Sequence, residues 1–531
     1  MPHLTVVITA EQFRADYIKN YSADLSANGI RRLINRGAYF ERCRFGHAAN
    51  LAAPNAATLA TGAYPVTHGI IGNRWYDRET RGVVAAMGAP LKYSPENLSG
   101  STVADELRLA SGGGSRVVAV SEGAASAVFL GGRHPNGSYW MGESGEFETS
   151  AYYRANVPGW VRSFNKAAPI TLATAKNWMA VDAAPNAKPL RVLPGLTGEL
   201  SESYSAFYRS SPFVMRRTFD FASAAIKAEG LGTRSHPDLL FVNLSAPALL
   251  ALEVGADSPL MRDMVLQLDR ELGRFVDWLG GEFGFDRVSI VFTGLHGSPV
   301  TPELASLVGP GGGRIKGESV VEAIDAALEA EFGAGPAVEK YVYPYVTFND
   351  RFHRMERDRR LHALDLAGEA AAALAGVASF YAPQLTNGAG GNAQRQSWKP
   401  GRSGDLMLVY DPYFTEHSGE DRGTGPGSMY RYDSDVPLVF YGPQFRAMQS
   451  MREVDAASIA PTLAALLNTA LPSSTDAPIL HEAFTDKPAP AAQKKRQSLI
   501  RRPSPARMFS DISQTAVVGL LRLRTGCAAR Y

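Results

Sequence analysis

Four stretches of the chain, LTVVIT (4–9), DLLFVNLS (238–245), VSIVFTG (288–294) and VPLVFYG (436–442), are almost unbroken runs of β-branched and apolar residues. A strand with one wet face alternates polar with apolar. A strand without alternation has both faces in the core, as in a parallel sheet held between helices. Helical patterns occupy the intervals. ADYIKNY and NGIRRLINRG follow the first run, MRDMVLQLDRELGRFVDWLGGEF repeats apolar residues at three-to-four spacing, and ASIAPTLAALLN comes after the last. The order predicts an α/β fold with a doubly wound, mostly parallel central sheet and helices on both faces. In such sheets ligands bind beyond the carboxyl ends of the strands. Attention therefore falls on Glu11 and on residues 245–252, 294–296 and 423–428.

The long intervals near 130–215, rich in Tyr, Trp, Gly and Ser, and near 318–400 read as inserted caps over a cleft. Residues 1–484 thus form one α/β domain with cap insertions. From 485 to 531 the composition shifts to Pro, Ala, Lys and Arg, a basic and flexible tail. From Asp486 onward ten Lys/Arg face two Asp, a net +8, which leaves −6 for the first 485 residues of a chain whose total is +2. Nothing in that balance calls for specific nucleic acid binding. Three uses are open to the tail: a solvated end, a contact with an anionic surface, or a docking peptide for a protein partner. Cys43 and Cys527 show neither disulfide nor zinc-ligand spacing. No run of 18 apolar residues occurs, and MPHLTVVITAEQ lacks a basic, cleavable leader, so a cytoplasmic location is the expectation.

LAAPNAATLATGAYPVTHG (51–69) has the turns of a loop that presents a hydroxyl at a strand-to-helix junction, yet Ala52 stands where the hydroxyl would be. With EQFRADYI, TGAYPVTHGIIGNRWYD, HPDLLFVNLS, FTGLHGSPVTPE and YRYDSDVPLVFYGP in unbroken order over about residues 4 to 484, the chain resembles the alkaline phosphatase superfamily, specifically its type I phosphodiesterase/nucleotide pyrophosphatase-like branch. The resemblance implies two zinc ions gripping nucleophile and phosphoryl oxygens. It also implies seven metal-site positions in this chain. The first is Glu11, where the family has Asp, and the nucleophile falls on Ala52. The next pair falls on Ala248 and Leu252, the Asp-His pair on Leu295 and His296, and the last His on Pro426. The family's substrate Asn matches Asn73, whereas its Lys-x-Arg clamp falls on Gly123 and Ala125.

The metal candidates are therefore Glu11 and His296, the substrate-binding candidate is Asn73, and no catalytic residue is assigned. No cofactor is expected, because most zinc ligands are missing. Each candidate also has a plain reading, a hydrogen-bonded strand-end carboxylate for Glu11, a satisfied histidine for His296 and a turn residue for Asn73. The expectation is a pseudoenzyme with a binding or regulatory role, its partner an unknown ligand in the vestigial cleft or a protein. The rival is a metal-dependent phosphoric or sulfuric ester hydrolase or phosphodiesterase with a site relocated to Glu11, His296 and His417 of FTEHSGEDRGT (414–424). GPGGGRIKGES (309–319) reads as a plain loop, and the aromatics around HPNGSYW (134–140) are open to cleft lining or to packing.

Overall fold

Alternate residues of the first strand, β1 (Leu4–Ala10), enter different cores. Leu4, Val6, Ile8 and Ala10 join one buried cluster, and Val7 joins a second on the opposite face. This is why the run shows no polar alternation: each side chain leaves water, at about 1.5–3 kcal/mol of stabilisation for a Val, Leu or Ile. The computed structural model describes residues 1–485 apart from 90–91, 168, 171–176, 194–201, 310, 334, 387–389 and 417–422. The basic tail and His417 lie outside the described residues, which all belong to the unit Met1–Ala492.

The remaining strands of the main sheet are β2 (Ala38–Arg44), β3 (Val117–Ser121), β4 (Gly137–Met141), β5 (Phe147–Glu148), β6 (Asp238–Leu244), β7 (Val288–Gly294), β8 (Asp435–Tyr441), β9 (Met448–Ser450) and β10 (Val454–Asp455). Their spatial order is β9-β2-β8-β7-β1-β6-β3-β4-β5, with β10 also paired to β2. β7, β1, β6, β3 and β4 are parallel. The fourth apolar run, β8, pairs antiparallel with both β7 and β2. Its two faces are as buried as those of its neighbours, so the residue pattern reported burial and not direction. One core is closed by α3 (Pro212–Glu229) and α5 (Pro259–Phe283), after α1 (Ala52–Thr61) and α2 (Ala124–Gly131) have covered the other face; α4 (Ala246–Val254) caps the sheet's end.

The stretch near 318–400 forms a separate layer. An antiparallel sheet in the order Val338–Val342, Tyr345–Phe348, Leu406–Tyr410, Val377–Tyr381 packs against α6 (Gly317–Phe332) and α7 (Arg357–Ala372) around a third buried cluster. α6 begins inside the glycine-rich stretch read as a plain loop, and Gly313–Ile315 within that stretch pairs with Phe414–Glu416. The stretch near 130–215 differs from a pure insertion: β4 and β5 belong to the main sheet, and Tyr139 and Trp140 are buried packing aromatics. No described helix is long and apolar enough to cross a membrane.

Buried carboxylates tie these elements together. Asp269 on α5 accepts the Ser26 and Ile30 amides, each at 2.6 Å, and so caps the helix Ile30–Arg36 from outside. Asp269→Ala leaves both donors unpaired, and a loss of about 3 kcal/mol is expected, read as a lower urea midpoint at unchanged slope.

Candidate functional site

Strand register builds the site. Ala10 lies opposite both Leu244 and Gly294, and Ser121 lies opposite Asn243, so four parallel strands end nearly level. The ladder continues one step past them through Glu11 N–H to Leu244 O (2.9 Å) and Leu295 N–H to Ala10 O (2.8 Å). Glu11, Glu122, Ser245 and Leu295 therefore stand on one rim.

Glu11 is 8% exposed. Its Oε1 accepts from Ser126 Oγ at 2.9 Å, Asn243 Nδ2 at 2.8 Å and Ser245 Oγ at 2.9 Å. Asn243 itself accepts the Thr9 hydroxyl at 2.7 Å, which extends the network back along β1. Behind it Glu122 is wholly enclosed. Its Oε2 accepts the Ser245 and Ala246 amides at 2.7 and 2.6 Å, at the start of α4, and its Oε1 accepts the Thr218 hydroxyl at 3.1 Å. Burial outweighs those donors and pushes the Glu122 carboxyl up to about 7. Sequence reasoning missed Glu122 because it missed β3; VVAVS is a short β-branched run that would have directed attention to the residue after it.

His296 is also buried, and its Nδ1 lies 3.0 Å from the Gly297 carbonyl, which can only accept. Nδ1 therefore carries the proton. Burial lowers the imidazole's proton affinity, against an opposing pull from Glu11, so the ring is neutral with Nε2 as an acceptor. Asn73 is exposed, and its Oδ1 accepts the Ala53 amide at 2.9 Å, where α1 begins just after Leu51. That bond serves the local role expected of a turn residue, while the rest of its amide faces the cleft.

Glu11, Asn73 and His296 line one cavity of about 670 Å³, and Ala52, Ala248, Leu252 and Pro426 line it with them. Sequence registration thus brings seven scattered positions to one place. Leu295 instead is fully buried beneath, its carbonyl accepting from Asn55 Nδ2 at 2.7 Å. Gly123, which precedes α2, and Ala125, in its first turn, are half-buried and do not line it. His417, Glu420, Asp421 and Arg422 lie outside the described residues, while Glu416 lines the cavity. Gln12 and Asp433 belong to the lining too and were not singled out from sequence, as does Thr424, which falls in the stretch 423–428 expected near the site.

Two zinc ions do not fit this donor set. Glu11 and His296 are the only ligating side chains at the seven registered positions, and the hydrocarbon of Ala52, Ala248, Leu252 and Pro426 offers no lone pair. Glu11 Oε1 is already occupied by three donors. Among the described residues no group of three or more His, Cys, Asp or Glu is placed to hold a metal.

The enclosed carboxyls make stability depend on pH with a definite sign. Glu122 moves from 4.5 to about 7 and Asp433 from 3.8 to about 7, both through burial. Over that window the folded chain holds protons that the unfolded chain has released, so stability falls as pH rises. Urea denaturation at pH 5 and pH 8 is expected to show the loss, at most about 3 kcal/mol per group, and Glu122→Gln is expected to flatten it.

Comparison with known proteins places this architecture. The chain is 27% identical over 522 residues to "Alkaline phosphatase PhoV" of Synechococcus elongatus, covering 89% of this chain and 91% of the relative. It is 27% identical over 520 residues to "Alkaline phosphatase PafA" of Elizabethkingia meningoseptica, covering 89% and 92%. The crystal structure of wild-type alkaline phosphatase PafA superposes with a TM-score of 0.82 at 24% identity, covering 91% of this chain and 99% of that one, and so shares its fold. Residues 5–425 match the family described as Type I phosphodiesterase / nucleotide pyrophosphatase. By that match the chain belongs to the type I phosphodiesterase/nucleotide pyrophosphatase family, within the alkaline phosphatase superfamily.

Proposed function

We propose that this chain is a family member without two-metal phosphoryl transfer, and that its cleft serves binding instead of turnover. One observation carries the reading: Ala52, Ala248, Leu252 and Pro426, at the positions registered to nucleophile and metal ligands, form a shared wall of the same cavity as Glu11 and His296. A dication against such a wall loses hydration without gaining ligands. An attacking group is missing as well, since Ala52 has only a methyl where in-line displacement needs an oxygen.

Relatives named alkaline phosphatases make hydrolysis the outcome to test against. The full chain, equilibrated with excess zinc and desalted, is expected to retain far less than one equivalent by elemental analysis. It is also expected to hydrolyse p-nitrophenyl phosphate no faster than a boiled control. Two retained equivalents with zinc-dependent turnover, lost in His296→Ala, would instead establish a relocated hydrolase site. Under the binding reading His296→Ala leaves the absent turnover unchanged.

A further inference from the structure

The polar groups of the cavity have an uneven chemistry. Gln12 is fully buried, holds a φ of 53°, lines the cavity, and has no hydrogen-bond partner for either side-chain polar atom. Asp433, 1% exposed, has one oxygen engaged by the Ser428 amide at 2.8 Å and the Ser428 hydroxyl at 2.5 Å, and its Oδ1 has no partner. The hydroxyl of Thr424, also 1% exposed, is likewise unpaired. Native interiors seldom leave such groups unsatisfied, and three on one cavity point to something that occupies it.

Counting what these groups offer narrows the occupant. Glu11 Oε2, Gln12 Oε1, His296 Nε2 and, once its carboxyl has released the proton that burial holds up to about pH 7, Asp433 Oδ1 accept, whereas donors come from the Gln12 amide and the Thr424 hydroxyl. Glu11 has no ion pair among the described residues, so its charge has hydrogen-bond donors around it but no counter-charge. The cavity does contain cations, and their placement matters. Arg314 is committed to Glu303 at 3.2 Å and to the Gly423 carbonyl at 2.8 Å. Arg74 and Lys340 are exposed, where water screens them, and Arg74 acts electrostatically on Glu416. In the enclosed part the carboxylate without an ion-pair partner among the described residues is that of Glu11. Tyr341, Tyr343, Tyr410 and Tyr432 add aromatic lining, with the Tyr343 and Tyr410 rings 4.6 Å apart and the Tyr341 and Tyr410 hydroxyls bonded at 2.5 Å. An ammonium has three donors, no acceptor and a full positive charge, and it is attracted to aromatic faces.

We infer that the cavity takes a protonated organic amine carrying an apolar or aromatic body, its ammonium against Glu11 and the unpaired acceptors of Gln12 and Asp433, and its body along the tyrosines. The inference rests on the binding reading given above and specifies its ligand class. It reverses the preference of a phosphate site, in which the bound group is the anion. A metal ion is the poorer occupant, because it needs a convergent ligand shell, whereas an ammonium needs acceptors at hydrogen-bond distance.

Three probes of similar size separate the possibilities: 2-phenylethylamine, 2-phenylethanol and phenyl phosphate, each titrated into the full chain by calorimetry and by thermal shift at pH 7. The amine is expected to bind at least about tenfold more tightly than the alcohol, a difference of one decade in Kd, and to raise Tm with concentration. Glu11→Gln, whose amide oxygen can still accept from Ser126, Asn243 and Ser245, is expected to abolish that preference. Should it fail to fold, Ala52→Leu, which adds bulk to the cavity wall at a residue outside the Glu11 hydrogen bonds, is expected to weaken the amine by a similar factor. Equal binding of amine and alcohol, binding of none of the three, or amine binding unchanged in the variants would overturn the inference. Phenyl phosphate bound tightest but left intact would overturn it while sparing the binding reading. Zinc-dependent hydrolysis of phenyl phosphate would bring down both.

Discussion

One carboxylate oxygen, Glu11 Oε1, gathers hydroxyl and amide donors from Ser126 on α2, Asn243 on β6 and Ser245 at the entry to α4. This convergence requires β1, β6 and β3 to end level, because a slip of one residue would turn the side chains of a strand to the opposite face. It also requires α4 to start where it does, and the buried Glu122 fixes that point by accepting its first amides. The shape of the cleft is thus set by polar contacts inside an otherwise apolar sheet end. Networks of this kind specify one arrangement because each member left unpaired is costly.

The same network decides the electrostatic character of the cleft. A site for a phosphate dianion concentrates positive charge where the phosphoryl group rests. Here the enclosed ionisable groups are carboxyls beside a neutral His296, which adds an acceptor, and the guanidinium and ammonium groups of the lining are exposed or already paired. Shared architecture with proteins named alkaline phosphatases therefore coexists with a cavity in which the enclosed Glu11 carboxylate has hydrogen-bond donors but no ion-pair partner among the described residues. The fold fixes where a ligand sits; the side chains at the strand ends decide what kind of ligand that is.

Much of this was legible in the sequence, and the omissions have physical causes. β1, β6, β7 and β8 announced themselves because both their faces are buried, and burial on both faces erases alternation. β2 escaped notice since AYFERCR mixes charges into a half-covered strand, and the cap strand VEKYV is half exposed along its length. The antiparallel course of β8 has no residue signature. Glu11, Asn73 and His296 could be registered from motif order, and all three line one cavity. Gln12, Glu122 and Asp433 could not be, because their importance lies in hydrogen bonds made or left unmade across elements far apart in the chain.

The apolar wall of the cavity also constrains what this chain can become. A lone Ala248→Asp would set another carboxylate into the cavity that Glu11 already lines and Glu122 backs, and a lone Leu252→His would exchange packed hydrocarbon for an imidazole with no metal to bind. A coordination shell rewards its members only when they are assembled together. Under the binding reading, each single replacement toward a two-metal centre therefore adds a polar group without its coordination partners, and point mutation has no graded path to the assembled site. Under the binding reading proposed above, the fold is free to persist without two-metal chemistry, because that chemistry would need several replacements at once.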